Sequence, residues 1–206
     1  RVPITAKLIA NLIVSAGANR ILTMDLHAPQ IQGFFDIPVD HLFAAPIVIS
    51  YLEEKVFDKL VVVAPDVGGV KMARAFAKRL DASLAIVDKR RESPDKVEVT
   101  HVIGEVKGKK VIIVDDMIST GNTIIEAADI LIKGGAIEVY GCASHAVFSE
   151  DTIEKLNNSN LKEIIITNTI PHLSLPPKFK ILSVSSLLGE AIKRIHLETS
   201  ISSLFI

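Results

Sequence analysis

The sequence contains no tryptophan and only one cysteine, Cys142, among its 206 residues. A single cysteine excludes an internal disulfide framework of the kind that stabilises small secreted proteins, so we expect a cytoplasmic protein. The formal net charge is −1, without the basic excess that binds nucleic acids or anionic membranes. Charges interrupt each apolar run before membrane-spanning length, and no signal-peptide arrangement opens the chain. We therefore expect no nucleic-acid or membrane partner.

Apolar strand-like runs alternate with helical patterns along the chain. The predicted strands are 21–26, 60–64, 84–87, 111–114, 139–143 and 164–167. The predicted helices run from Pro3 to near Gly17, over 46–56 and 70–80, from Ile124 to Gly134, and over 186–197, with residues 28–43 as a loop. Continuous apolar strands between helices are typical of parallel strands covered on both faces. The sequence thus predicts an α/β fold with a doubly wound parallel sheet, whose ligands bind beyond the carboxyl ends of the strands.

The most informative segment is residues 111–123, where an apolar strand leads through two carboxylates into a hydroxyl-rich turn. Asp115 and Asp116 are predicted to stand at the end of the strand, and a helical pattern begins at Ile124. The turn contains four small or hydroxyl residues: Ser119, Thr120, Gly121 and Thr123. Backbone N–H groups and the helix dipole attract phosphate at such a turn, and the carboxylates can accept hydrogen bonds from sugar hydroxyls. The segment predicts a sugar-phosphate site.

The same segment has a purely structural interpretation, a buried strand that ends at a capped helix, since Ser and Thr are common N-caps. A Walker-type phosphate loop is excluded, because the Gly-Lys-Ser/Thr that closes it is missing here. The pattern resembles the phosphoribosyl-pyrophosphate-binding motif of the phosphoribosyltransferase fold. It departs from that motif at Ser119, often an acid there, and at Asn122, usually a small residue.

A second strand–turn–helix segment carries Asp66, Gly68 and Gly69. Paired glycines let a phosphate approach the backbone closely. An ordinary turn between a strand and a helix has a similar composition, so the turn itself leaves both interpretations open.

Asp25 and His27 end the strand 21–26, which we expect in the same layer of the sheet as the strand before Asp66. A lone histidine is commonly structural. Together with Asp66, however, these side chains would suit a Mg²⁺ ion that is held largely through phosphates and waters.

A run of cations, Lys89-Arg90-Arg91, follows the predicted strand 84–87. Charge runs commonly form a solvated face. Because this run stands between a strand and a long polar loop, it equally suits a mobile lid that brings cations to a phosphoryl group in transfer.

Residues 24–40, MDLHAPQIQGFFDIPVD, resemble the signature of the ribose-phosphate diphosphokinases, also called phosphoribosyl pyrophosphate synthetases. Four further segments match that family in order: 3–8, 65–69, 89–91 and 200–205. The resemblance covers the whole chain. It implies a phosphoribosyltransferase-like (type I) fold in tandem domains, and transfer of the diphosphate of ATP to the 1-hydroxyl of ribose 5-phosphate with Mg²⁺ as cofactor.

The resemblance also implies roles for individual residues. Lys89 and Arg91 would lie in a flexible catalytic loop and stabilise the charge in transit. Ribose 5-phosphate would be held by Arg91, Asp115, Asp116, Ser119, Thr120, Gly121, Asn122 and Thr123. Nucleotide and diphosphate would bind His27, Asp66, Gly68 and Gly69, and the metal positions would be His27, Asp66, Asp25, Asp36 and Asp40. Arg1, Ser200 and Ser202 would line an allosteric anion site for phosphate or ADP, in a homodimer or homohexamer.

Family members carry a further segment ahead of the position of Arg1, which binds the adenine and triphosphate. We therefore expect residues 1–43 to complete a truncated first domain, residues 44–195 to form the second, and the tail 196–206 to pack back on the first. On this basis the chain alone is expected to bind ribose 5-phosphate with little or no synthase activity.

Two competing functions remain open from the sequence. A purine or pyrimidine phosphoribosyltransferase shares the 111–123 motif, but it needs neither the 24–40 signature nor the cationic run, and no base-binding hood is evident. A non-catalytic regulatory subunit associated with the synthetase is the other alternative. Such subunits alter the catalytic loop, whereas Lys89 and Arg91 are intact here, which favours catalysis.

Overall fold

The computed structural model describes residues 4–55, 57–90 and 99–204, without the side chains of residues 89, 90, 99 and 100. The described residues fall into two compact units, one within Arg1–Ala44 and Ser186–Ile206 and the other within Ala45–Ser185. The cut before residue 186 differs from the boundary predicted at 195. The three-part domain assignment stays a prediction.

The elements in these residues are named in chain order. The strands are β1 Ile21–Met24, β2 Val39–Leu42, β3 Leu60–Ala64, β4 Ser83–Arg90, β5 Val99–Ile103, β6 Lys110–Ile118, β7 Glu138–Ala146, β8 Glu163–Thr167 and β9 Phe179–Leu182. The α-helices are α1 Thr5–Ser15, α2 Ala45–Glu54, α3 Val70–Arg79, α4 Asn122–Lys133, α5 Thr152–Asn158 and α6 Ser185–His196. Two 3₁₀ helices span Pro29–Phe34 and Ser202–Leu204. In these parts of the chain, every helix falls short of the length or the apolar character needed to cross a membrane.

The first unit contains a separate two-stranded sheet. β1 and β2 pair in parallel, with Ile21 opposite Val39 and Met24 opposite Leu42. The expectation that the strand before His27 shares a layer with the strand before Asp66 is therefore wrong, because β1 pairs with β2 and has no place in the sheet of β3. The predicted loop 28–43 is also wrong in part, since it contains a 3₁₀ helix and β2.

The second unit contains a seven-stranded sheet in the order β5-β4-β3-β6-β7-β8-β9. Its pairs are parallel apart from the antiparallel edge pair of β4 and β5. From β3 the chain crosses to β4 on one side, whereas from β6 it crosses to β7 on the other. The strand order therefore reverses between β3 and β6, which is where open α/β sheets bind ligands. The predicted doubly wound α/β sheet is confirmed.

Both faces of this sheet are buried. Val111 and Ile113 of β6 pack in one apolar cluster with the inner side of α4, and Ile112 and Val114 pack in a second cluster with α2 and α3. Alternate residues of a strand point to opposite faces, so a strand covered on both faces reads as a continuous apolar run. The apolar runs of the sequence have this cause.

The predicted end of the central strand at Val114 is wrong. β6 continues to Ile118 because it stays paired with β7, with Asp115 opposite Ala143 and Ile118 opposite Ala146. Its pairing with β3 ends earlier, at Ile113. Asp115 and Asp116 therefore lie within the strand, just past the point where β6 separates from β3.

Candidate functional site

The loop from β6 to α4 places a helix N-terminus at the carboxyl edge of the sheet. Gly121 precedes α4 with a φ of 76°, in the left-handed region that favours glycine. No side chain caps the helix, although the Asn122 N–H lies 3.5 Å from Thr120 Oγ1. An uncapped helix N-terminus directs N–H groups and the positive end of the helix dipole at one point, which is the physical basis of phosphate binding.

A cavity of about 160 Å³ opens at this loop. Five of the predicted sugar-phosphate residues line it: Asp115, Ser119, Thr120, Gly121 and Thr123. Met117, Ile118 and Ile124 complete the lining. The cavity thus brings one carboxylate, hydroxyl side chains and a helix N-terminus to a single space, whereas the predicted residues Asp116 and Asn122 are not part of its lining.

Among the residues that the structure describes, Asp115 is the carboxylate whose pKa is shifted most strongly. Burial raises the pKa of Asp115 from 3.8 to about 7, and a side-chain hydrogen bond with Asp116 and the charges of Asp116 and Asp66 add to the rise. The Asp116 N–H donates to Asp115 Oδ1 over 2.9 Å and opposes the rise. Asp115 is therefore poised between its acid and its carboxylate at neutral pH, and Asp66 lies close enough for its charge to act on the site.

The underside of the loop packs against α5, which the sequence analysis did not predict. Thr152 Oγ1 donates to the Ser119 carbonyl over 2.7 Å, and the Ser149 N–H reaches the same oxygen at 3.3 Å. A Cβ on Gly121 would lie 3.3 Å from Leu156 Cγ, so this position is closed to side chains by packing as well as by φ. The signal available in the sequence was the Ser-Glu-Asp-Thr turn at 149–152, a composition typical of a helix start.

The loop from β3 to α3 has a different character. The Gly69 N–H donates to Asp66 Oδ1 over 3.0 Å, so one N–H group of the loop is already bonded to the carboxylate of the same loop. Gly69 has a φ of −75°, which any residue adopts. A Cβ on Gly68 would lie 3.1 Å from Asp66 Oδ1. Because the exposed Asp66 adds negative charge, the loop suits a cation or a metal-bound phosphate better than a bare anion.

In the first unit, the turn after β1 holds Asp25 and His27. Asp25 is buried with a φ of 41°, and its Oδ2 accepts the Ala44 N–H over 2.9 Å. His41, which the sequence analysis missed, accepts the Leu26 N–H at Nε2 over 2.9 Å. Burial lowers the pKa of His41, against the opposing charge of Asp25, which keeps the ring neutral as an acceptor. These contacts shape the turn that presents the exposed His27.

Two other predicted metal positions have cationic partners. Asp40 pairs with Arg20 at 2.6 Å, and Asp36 pairs with Lys7 at 3.4 Å. Among the residues that the structure describes, no three His, Cys, Asp or Glu side chains form a group that could hold a metal ion. A Mg²⁺ ion with few protein ligands, completed by phosphates and waters, is compatible with this result.

The predicted anion site in the C-terminal tail is held by Arg194, which the sequence analysis also missed. Arg194 Nη1 donates to the Ser200 carbonyl at 3.2 Å and to the Ser203 hydroxyl. Ser200 Oγ in turn donates to Ser202 Oγ at 3.0 Å. Arg1 lies outside the described residues. So do Arg91 and the side chain of Lys89, whose backbone belongs to β4.

The family model described as "Phosphoribosyl synthetase-associated domain" matches residues 90–206. The ribose-phosphate pyrophosphokinases of Synechococcus elongatus and Gloeobacter violaceus are 58% and 56% identical to the chain and match all of it. The chain spans 63% of the length of each of these relatives.

A solved structure, the phosphoribosylpyrophosphate synthetase of Mycobacterium smegmatis, has a similar fold. It superposes with a TM-score of 0.88 at 39% identity, over 96% of this chain and 65% of that chain. The predicted phosphoribosyltransferase-like (type I) fold class is confirmed.

Proposed function

This chain belongs to the family of the phosphoribosyl synthetase-associated domain, and we propose that its protein transfers the diphosphate of ATP to the 1-hydroxyl of ribose 5-phosphate. The products are 5-phosphoribosyl 1-diphosphate and AMP, for nucleotide biosynthesis. The activities for which the relatives are named support this reaction, and the family resemblance of the 24–40 signature agrees with them.

One observation supports the acceptor site above all others: the cavity between Asp115 and the loop before α4. The 5-phosphate binds the uncapped N–H groups and hydroxyls of Ser119–Thr123, where the helix dipole favours negative charge. The ribose hydroxyls donate to the carboxylates of Asp115 and Asp116. Arg91 contributes a further cation to the phosphate.

We assign the nucleotide side to the second loop and to the turn after β1. Asp66, Gly68 and Gly69 face the diphosphate, and His27 and Asp66 help to bind Mg²⁺–ATP, with Asp25, Asp36 and Asp40 as further metal positions. The donor chemistry fits Mg²⁺, since an exposed carboxylate with phosphates and waters satisfies its octahedral preference. When bound, the ion neutralises charge on the phosphate oxygens.

The remaining residues, Lys89 and Arg91, stabilise the negative charge that develops during the transfer. Diphosphoryl transfer requires little covalent chemistry from the protein, but it requires an aligned hydroxyl and cations around the spreading negative charge. Lys89 and Arg91 supply these cations. In any form of the protein with synthase activity, Lys89→Ala is expected to lower kcat by orders of magnitude and leave the Kd for ribose 5-phosphate unchanged.

We further propose a cytoplasmic enzyme that self-associates as a homodimer or homohexamer. Phosphate or ADP acts as an effector at Arg1, Ser200 and Ser202. The hydrogen bonds of Arg194 to the tail support an ordered segment at the two serines.

Calorimetric titration of the chain with ribose 5-phosphate and Mg²⁺, followed by ATP, tests the proposal. We expect ribose 5-phosphate to bind and ATP to bind weakly, with little synthase activity in a coupled AMP assay. Normal turnover would contradict the expected division between acceptor and nucleotide sites. If neither ribose 5-phosphate nor ATP binds, the proposed function is overturned and the non-catalytic regulatory subunit is favoured.

A further inference from the structure

The loop that we assign to phosphate is held on its inner side by two donors to the Ser119 carbonyl, of which the buried hydroxyl of Thr152 is nearer than the Ser149 N–H. Thr152 is fully buried and its Oγ1 donates to the Ser119 carbonyl over 2.7 Å. Its other neighbour is the Ser149 hydroxyl, 2.7 Å away. The methyl group of Thr152 would lie 3.4 Å from a Cβ on Gly121, so both branches of the side chain face the loop.

The direction of this hydrogen bond decides where the next amide points. In a trans peptide the C=O and the following N–H point in opposite directions. Because the Ser119 carbonyl is turned towards the buried Thr152, the N–H of Thr120 is turned away from it, to the open side of the loop. Thr120 lines the cavity on that side.

The base of the contact is rigid, because α5 is anchored at its far end. Lys178 Nζ donates to the carbonyls of Leu156, Asn157 and Ser159 at 3.1, 2.9 and 2.7 Å. These carbonyls lie at the end of α5, where helix carbonyls lack intrahelical donors and attract a cation. Asn160, just beyond, donates to Asp129 of α4 over 2.7 Å. The helix under the loop is thereby tied to the helix that the loop precedes.

From these contacts we infer that Thr152 is a positioning residue for ribose 5-phosphate. Its hydroxyl fixes the orientation of the Ser119 carbonyl, and the Thr120 N–H of the same peptide therefore points at the bound phosphate. The inference rests on the proposed function, since it assigns the phosphate to this loop. Thr152 itself does not touch the ligand. Without the hydroxyl, the carbonyl keeps the longer hydrogen bond from the Ser149 N–H at 3.3 Å, and this weaker restraint lets it turn more easily towards the cavity and present a negative dipole to the phosphate.

The test compares two threonine-to-valine variants by calorimetric titration with ribose 5-phosphate. Thr152→Val keeps the shape and removes the hydroxyl. Thr167→Val is the matched control, because Thr167 is equally buried and donates to the Ser144 carbonyl over the same 2.7 Å, on β8, which β7 separates from β6. We expect Thr152→Val to raise the Kd about threefold to tenfold, as expected for one lost hydrogen bond. Thr167→Val is expected to leave the Kd unchanged while lowering the melting temperature at least as much.

Thr152→Ser is the rescue variant, since it restores the hydroxyl and loses only the methyl group. A Kd close to that of the wild type in Thr152→Ser supports positioning through the hydrogen bond. Equal weakening in both valine variants, or no weakening in Thr152→Val, overturns the inference and leaves the proposed function standing. If the wild type binds no ribose 5-phosphate, the proposed function itself fails, and the inference fails with it.

Discussion

Two loops at the same edge of the sheet follow the same strand–turn–helix pattern and create opposite electrostatic surroundings. The loop after β6 leaves α4 uncapped and lines a cavity with hydroxyls. The loop after β3 places the Asp66 carboxylate on its own Gly69 N–H. A helix N-terminus with free N–H groups attracts an anion, whereas a turn whose N–H already donates to a carboxylate carries negative charge and attracts a cation. One side chain therefore determines which kind of ligand a phosphate-type turn suits.

The glycines of the two loops differ in the same way. Gly121 has a φ of 76° and lies against α5, so its conformation and its packing both exclude a side chain. Gly69 has a φ of −75°, and a Cβ there would meet Pro65 Cδ at an ordinary 3.5 Å. Only the loop after β6 depends on glycine at its helix cap.

Alanine substitutions at these two glycines are expected to differ most in the free energy of unfolding. Gly121→Ala is expected to destabilise the protein by about 1–2 kcal/mol from left-handed backbone alone, with a further cost from contact with Leu156, and to abolish measurable ribose 5-phosphate binding. Gly69→Ala is expected to stay within about 1 kcal/mol of the wild type, because its backbone suits alanine. Denaturant unfolding of both variants measures the difference. Equal destabilisation by the two substitutions would show that the loops do not differ in this respect.

The second prediction concerns how the stability of the protein depends on pH through Asp115. The folded pKa of about 7 lies above the ordinary 3.8, so between these values the folded state holds a proton that the unfolded state has released. Stability from this group is fully present below the ordinary pKa and is lost as the pH rises through about 7. We expect Asp115→Asn to melt a few degrees higher than the wild type at pH 8 and to match it at about pH 4.

The same substitution is expected to weaken the binding of ribose 5-phosphate, because an amide oxygen accepts hydrogen bonds from sugar hydroxyls less strongly than a carboxylate does. Melting curves at the two pH values, with titrations at pH 8, check both parts. The raised pKa would be refuted if the melting temperature of the wild type, measured relative to that of Asp115→Asn, did not fall between pH 4 and pH 8.

Substitutions of Asp66 are expected to change stability less than those at Gly121 and Asp115. Asp66→Ala removes the acceptor of the Gly69 N–H and is expected to cost about 1 kcal/mol, as loss of one hydrogen bond does. Asp66→Asn keeps an oxygen for that N–H and is expected to leave stability at pH 5 unchanged. Because the Asp66 charge is one cause of the raised pKa of Asp115, this variant should lower that pKa and shift the pH dependence of melting slightly towards lower pH. A shift in the opposite direction would contradict the assigned interaction.

The sequence predicts most of the acceptor loop but not the contact that supports it. Ser119 to Thr123 are adjacent in the chain, and their small and hydroxyl side chains follow a buried strand, so local pattern was sufficient to find them. Thr152 lies some distance along the chain from Ser119, and its role depends on a single hydrogen bond. No local pattern contains such a contact.

The predicted strand end at Val114 was wrong for a related reason. Two carboxylates usually mark the end of a buried strand, but β6 continues because β7 remains beside it to accept and donate hydrogen bonds. β5, β9 and α5 were not predicted, since each is short and forms against a neighbour rather than from its own periodicity. The layer expected for β1 was wrong because the choice of pairing partner is a tertiary property.

By itself, the sequence determined the doubly wound α/β class, the family resemblance and the chemistry at the ends of β3 and β6, because apolar periodicity and turn composition are local. The tertiary structure alone decided that β3 and β6 are neighbours, that Asp115 is buried enough for a raised pKa, and that Thr152 fastens the Ser119 carbonyl. Burial and long-range hydrogen bonds depend on which elements meet in space, and the order of residues along the chain does not state this directly.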